Sequence, residues 1–226
     1  MDVRLLYHTP DPQRSVAAAA RLCYAPVGAA ELLETMSDKS IRSVLRTIIS
    51  SGHLSTLEHA SYTFAIDGVS RAMTHQLVRH RLASYNQQSQ RYVSYDSDPT
   101  FIVPPEVDKN PEVRERFLAA CAESFLSYRA MIDAGIPPED ARYLLPNAME
   151  TKIVVTMNIR ELLHFFELRC CNRAQWEIRG VAEKMLELAA PTAPYIFMDA
   201  GPSCRRGECN EGKMTCGKPH TRVVRD

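Results

Sequence analysis

Apolar residues recur at helical spacing in several windows of this chain, and short apolar runs of strand length lie between them. Residues 3–7 form the first such run. Asp11 and Pro12 then read as a cap and a first helical position, opening an alanine-rich helix through residue 23. A second helix is predicted over residues 29–36, and Asp38 is placed to cap a third. Its Ile41, Val44, Leu45, Ile48 and Ile49 form one stripe that stops before Gly52. The polar connector GHLSTLEH follows, and residues 61–66 read as a strand. Gly68 and Ser70 look like a turn and a cap. Ala72, Met73, Gln76, Leu77 and His80 recur at helical spacing after them, so a helix runs out into a polar loop.

In the second half, a proline-interrupted segment has room for one short strand, residues 101–103. Asn110 and Pro111 open the longest helix. Val113, Phe117, Cys121, Phe125, Tyr128 and Ile132 line one side of it, and Gly135 with Pro137 stops it. A short helix over 138–144, a strand over 152–157, an Asn158-capped helix over 159–171 and a helix over 174–188 complete the pattern. No repeat and no linker divides the chain.

A length of 226 residues suffices for a substantial core, and 45% hydrophobic with 24% charged residues is ordinary for a globular protein. The net charge of zero argues against a general nucleic-acid coat. The sequence has no run long enough to span a bilayer and no signal-peptide pattern, so no membrane partner is expected. Seven cysteines without framework spacing suggest free thiols in a reducing cytoplasm.

Against this neutral background, residues 70–95 contain no Asp or Glu. They carry Arg71, Arg79, Arg81 and Arg91 with His75 and His80, and Ser84, Tyr85, Asn86, Gln87, Gln88, Ser89 and Gln90 fill the gaps. Guanidinium forks recognise phosphate bidentately, and amides and hydroxyls can complete an oxyanion's shell. A site for an anionic ligand and a solvated basic face both fit this composition.

Two further features stand out. At 100° per residue, Arg160, His164 and Glu167 share one side of the helix over 159–171, opposite Leu162, Phe165 and Phe166. Arg169 falls on the apolar side, where a cation needs an ion-pair partner or a ligand. Near the C-terminus, Cys204, Cys209, Cys216 and His220 could close a tetrahedral zinc site, but the C-x4-C-x6-C-x3-H spacing is no standard finger. A flexible thiol-bearing tail is the other reading. Cys170 and Cys171 read as packing residues, and without a GxGxxG fingerprint no dinucleotide is held in the Rossmann manner.

The residue order resembles the flavin-dependent thymidylate synthases. Their RHR motif and its extension are matched by Arg79, His80, Arg81, Ser84, Asn86, Ser89, Arg91 and Tyr92. The run NIRELLHFFELR resembles the family's N-x-R and L-R segment, and ARYLLP, with Arg142, resembles its substrate-arginine segment. The similarity runs from about residue 52 to 176. It implies an α/β (α+β) fold: one domain over 1–200, a small mixed sheet with flanking helices, and a Cys-containing tail over 201–226. It also implies a homotetramer that converts dUMP to dTMP, with 5,10-methylenetetrahydrofolate as carbon donor and FAD, reduced by NADPH, as hydride source.

Carried onto this chain, the resemblance assigns His53, Thr56, Glu58, Arg79, His80, Arg81, Asn158, Arg160 and His164 to FAD. To dUMP it assigns Gln76, Arg79, Gln87, Gln88, Ser89, Gln90, Arg91 and Arg169, with Arg142 supplied by a neighbouring subunit. Arg169 would face the uracil ring. Ser89 would bind and activate the nucleotide without forming a covalent bond, because no base lies near it in sequence. A nucleic-acid-binding module built on the basic segment is the rival of another class, and a small zinc-tail interaction protein is a third.

Overall fold

Side-chain caps set most of the helix starts. In the computed structural model, which describes residues 1–93, 95 and 99–220, the order is β1 (Asp2–His8), α1 (Pro12–Leu22), α2 (Ala29–Thr35), α3 (Asp38–Ser50), β2 (Ser61–Ser70), α4 (Arg71–Leu77) and β3 (Ala83–Gln87). Then come α5 (Pro105–Asp108), α6 (Pro111–Asp133), α7 (Pro138–Ala141), β4 (Glu150–Asn158), α8 (Ile159–Arg169), α9 (Trp176–Ala189) and α10 (Pro194–Phe197). Short 3-10 turns occupy Leu54–His59, Arg142–Leu144, Ala190–Thr192, Ser203–Arg205 and Gly212–Met214. The strands form one sheet in the order β1-β2-β4-β3. The fold is mixed α and β, as the pattern implied.

Asp11, Asn110 and Asn158 accept first-turn amides as expected. One cap and one helix start differ from the sequence reading. Ser37 caps α3, which leaves Asp38 as a first-turn acid, and Gln175 caps α9, which therefore starts at Trp176. α8 ends at Arg169 with Cys170 as its C-cap, short of residue 171.

The largest correction concerns the basic stretch. Gly68 makes no turn. It sits inside β2 with φ of 68°, and the strand runs on to Ser70, whose hydroxyl accepts the Met73 amide at 3.0 Å. α4 then stops at Leu77, so His80 lies beyond the helix. The expected polar loop is instead β3, at one end of the sheet order, with Ala83, Tyr85 and Gln87 half-buried and Ser84 and Asn86 exposed. Polar residues at a period of two suit an edge strand, and the Tyr85 hydroxyl donates to the Leu77 carbonyl at 2.9 Å. The strand predicted over 101–103 reduces to one antiparallel bridge, Phe101 to Met149. Ser94, residues 96–98 and tail residues 221–226, all parts of segments read from sequence, lie outside the described residues.

The chain divides into two compact units, and the boundaries fall within each of the four strands and between Arg79 and His80. One comprises Met1–Asp2, Ile66–Arg79 and Tyr85–Val154; the other comprises Val3–Ala65, His80–Ser84 and the chain from Val155 onward. The first has a small core of Phe125, Tyr128, Ala141 and Met149, against which Tyr95, Phe101 and Leu145 pack. Val113, expected on the same α6 stripe, is exposed. In the second, Tyr62, Leu45, Leu57, Phe165, Phe166 and Phe197 are almost fully buried. Tyr62 and Phe166 meet Phe197 edge-on at ring-centre distances of 5.6 and 6.0 Å. Each of these large side chains contributes about 2 kcal/mol through burial.

The tail turns back on α8 and the segment after it. Arg206 pairs with Glu167 at 3.2 Å, and the Asn172 amide donates to the Lys218 carbonyl at 2.9 Å. All seven cysteines are free thiols. No helix among the described residues is long and apolar enough to cross a membrane.

Gly68 supplies a test of this backbone. A Cβ there would stand 3.0 Å from the Met1 nitrogen, in a left-handed conformation. Gly68→Ala should therefore lower unfolding stability by about 1–3 kcal/mol. A wild-type denaturant midpoint in that variant would mean the strand does not need the positive φ.

Candidate active site

In the second unit the site grows from the start of α8. Asn158 Oδ1 accepts the Glu161 amide at 2.9 Å, so Glu161 occupies the third helical position. A glutamate there commonly reaches back to the cap residue's amide. Glu161 instead turns inward, and its Oε1 meets His80 Nδ1 at 3.2 Å, with both residues 5% exposed. His80 Nε2 in turn accepts a hydrogen bond from Arg169 Nε at 3.0 Å. The imidazole stacks edge-on against Phe165 at 4.9 Å and lies 5.9 Å from the His164 ring.

This chain of contacts fixes proton positions. Arginine has donors only, so the nitrogen facing Arg169 must be the bare one. The proton of the neutral ring then sits on Nδ1 and is donated to Glu161. Burial pulls the His80 pKa down to about 4, and the charges of Arg169 and His164 add to the effect. Burial also raises Glu161, with His164 opposing it, and lowers Arg169. The misplaced cation of α8 is thus held by a neutral acceptor. Its Nη1 and Nη2 make no hydrogen bond among the described residues, and they remain the free face of the fork.

Around this centre, Arg160 pairs with Glu58 at 2.5 Å, both about half-exposed. Thr56 donates to the His53 carbonyl at 3.3 Å, and His53 and His164 are exposed. Arg81 is exposed and has no ion pair among the described residues. His80, assigned to the flavin by resemblance, has almost all its surface inside the protein.

The first unit brings together most of the residues assigned to the nucleotide. Gln87 Nε2 donates to Thr74 and Thr151 at 3.0 and 3.3 Å, which fixes its amide plane. Ser89 Oγ accepts the Arg91 amide at 3.1 Å, and Arg91 pairs with Glu139 at 2.6 Å. Arg142 Nε donates to the Glu139 carbonyl at 3.1 Å, so Arg142 already stands beside Arg91's partner within one chain. Gln76 and Gln88 are half-buried, while Arg79 is exposed and unpaired among the described residues. Gln90 is 8% exposed, and its Nε2 has no partner among the described residues. A buried donor without an acceptor is costly unless a ligand supplies one.

The sequence reading gave no role to Glu161, Glu139 or Thr74, and named Arg71 only as part of the basic stretch. Arg71 is half-buried; burial lowers its pKa, Tyr95 opposes the shift and the Arg142 charge adds to it. Glu161 had a signal: it falls 40° from Phe165 around α8, at the margin of the apolar side.

Comparison with known proteins decides the family. Residues 4–195 match the family described as thymidylate synthase complementing protein. A flavin-dependent thymidylate synthase of Geobacter sulfurreducens is 58% identical over 96% of this chain and 94% of its own length. This chain belongs to the flavin-dependent thymidylate synthases. A member from Clostridium tetani is 48% identical over 96% of this chain and 93% of its own. Among solved structures, a UMP/dUMP methylase, PolB of Streptomyces cacaoi bound with 5-Br dUMP, superposes with a TM-score of 0.73 at 28% identity. It covers 87% of this chain and 93% of that one. The nucleic-acid reading of the basic segment has no support in these relatives. The tail lies beyond the residues that the family description matches, although the two relatives' 96% coverage of this chain extends into it. Its Cys204, Cys209, Cys216 and His220 line one cavity of about 140 Å³ with Cys171, yet no three His, Cys, Asp or Glu side chains among the described residues are arranged to hold a metal ion.

The His80 environment gives a pH prediction. The ring titrates near 4 when folded and near 6.5 when unfolded. Its stabilisation is complete above about 6.5 and lost as the pH falls toward 4, about 3 kcal/mol in all. His80→Gln, which cannot titrate, should flatten that part of the curve of denaturant midpoint against pH. Identical acid slopes for variant and wild type would contradict the assignment.

Proposed function

We propose that this chain methylates dUMP to dTMP, with FAD as its bound cofactor and 5,10-methylenetetrahydrofolate and NADPH as co-substrates. The observation that carries this reading is the open fork of Arg169, braced through Nε and uncommitted at both terminal nitrogens. Charge that develops on a pyrimidine carbonyl as C5 reacts is stabilised best by a donor already in place, and losing one such donor costs about 3–4 kcal/mol. Arg169 supplies that donor. Burial around His80 and Phe165 keeps the local dielectric low, which strengthens the interaction.

The phosphate end falls to Arg91, Ser89 and Arg142, with Gln76, Gln87, Gln88, Gln90 and Arg79 around the sugar and base. Arg91 exchanges the Glu139 carboxylate for a phosphate that accepts both arms of its fork. Gln90 Nε2 finds in the nucleotide the acceptor it lacks. Ser89 binds and activates; no base lies within hydrogen-bond reach of it among the described residues.

The residues fit a flavin dinucleotide: Arg79 and Arg81, exposed and without an ion pair among the described residues, suit a pyrophosphate. His53, Thr56, Glu58, Asn158, Arg160 and His164 supply donors and acceptors for the rest, and His80 acts mainly through Arg169. When bound, FAD reduced by NADPH supplies the hydride that completes the methyl group. The catalytic domain spans residues 1–200, with 201–226 as an appended tail. A cytoplasmic homotetramer is the working unit, and the exposed Val78, Leu82, Tyr92 and Tyr143 are apolar surface available for subunit contacts.

Purified protein should show flavin absorbance and form dTMP only with dUMP, methylenetetrahydrofolate and NADPH together. Arg169→Met should keep its flavin and melting temperature while losing at least about 100-fold in dTMP formation. Arg91→Lys keeps the charge without the fork and should weaken dUMP binding about tenfold, with flavin retention unchanged. A colourless protein that cannot be loaded with FAD, or a wild-type rate in Arg169→Met, would overturn the reading.

A further inference from the structure

We propose that Glu161 is a positioning residue for the methylation: by accepting the Nδ1 proton of His80, it forces the bare Nε2 toward Arg169 and so aims the guanidinium. The inference rests on the assignment of Arg169 to the pyrimidine. It concerns a residue that touches neither substrate nor cofactor.

The logic is one of donors and acceptors. Arg169 Nε can only donate, so it is held at 3.0 Å only while His80 Nε2 is unprotonated. A neutral imidazole without a partner at Nδ1 is free to move its proton to Nε2, which would present a hydrogen to a hydrogen and release the arginine. Glu161 Oε1, 3.2 Å from Nδ1, prevents this. The alternative tautomer would leave a buried carboxylate facing a bare nitrogen, which is costly at 5% exposure. Glu161 and Arg169 lie on the same rigid helix, about 12 Å apart along its axis, with His80 bridging them from the other side. On α8 the groups facing the ring are Glu161, Arg169, His164 and Phe165. Burial, helped by the charges of Arg169 and His164, disfavours a doubly protonated His80, which keeps the ring neutral and the tautomer question decisive.

Three variants of the flavin-loaded enzyme separate positioning from mere structure. Glu161→Gln keeps an acceptor of the same shape and should stay within about threefold of wild type. Glu161→Leu removes the acceptor and should lower kcat for dTMP at least tenfold, with bound flavin unchanged. Glu161→Asp, one carbon shorter, should fall between. The independent readout is nitrogen NMR of the His80 ring: Nδ1–H in wild type and Glu161→Gln, a shift to Nε2–H in Glu161→Leu. An Nε2–H ring in wild type would overturn the proposal, as would Glu161→Leu folded, yellow and at the wild-type rate. Equal rate losses in Gln and Leu variants with an unchanged tautomer would overturn it too. The tautomer is read without turnover, so a wild-type protein inactive on dUMP yet showing Nδ1–H would sink the proposed function and not the proton arrangement.

Discussion

A guanidinium on the apolar side of a helix must be held by something, and here the holder is uncharged. A carboxylate against Arg169 would have neutralised it and occupied the fork. A bare imidazole nitrogen takes one N–H and leaves the charge and two donor groups in place. The negative charge that makes this tolerable stands one residue further in, on Glu161, behind the ring. The start of α8, the burial of His80 and the orientation of Arg169 are therefore one arrangement.

The nucleotide-side residues follow a different rule. Arg91 is paired directly with Glu139, but at a half-exposed site where such a pair contributes about 1 kcal/mol or less. An exposed pair of that strength yields readily to a phosphate. Arg160 with Glu58 has the same character. On the proposed assignment, fixed geometry is kept for the group that meets the reacting ring, and exchangeable pairs stand where a ligand enters and leaves.

Much of this was legible in the sequence because it depended on local chemistry. Asn158 and Asn110 cap as their residue types require, and Leu162, Phe165 and Phe166 turned inward at the helical period. The basic stretch was legible in composition and misread in form. Gly68 is compatible with a turn or with a positive φ inside a strand, and only the sheet pairing of β2 selects the latter. Polar β3 likewise owes its extended form to a neighbouring strand and not to its own residues. Glu161 escaped notice because its partner lies far away in the chain, and a first-turn glutamate has an ordinary explanation in the helix dipole.

The most direct test of the central claim is a crystal structure of the flavin-loaded enzyme with dUMP bound, read for the position of Arg169. A terminal nitrogen of Arg169 should lie about 3 Å from a carbonyl oxygen of the uracil ring, with the Nε contact to His80 intact. An Arg169 turned away from the base, or drawn off His80 to reach a phosphate, would contradict it.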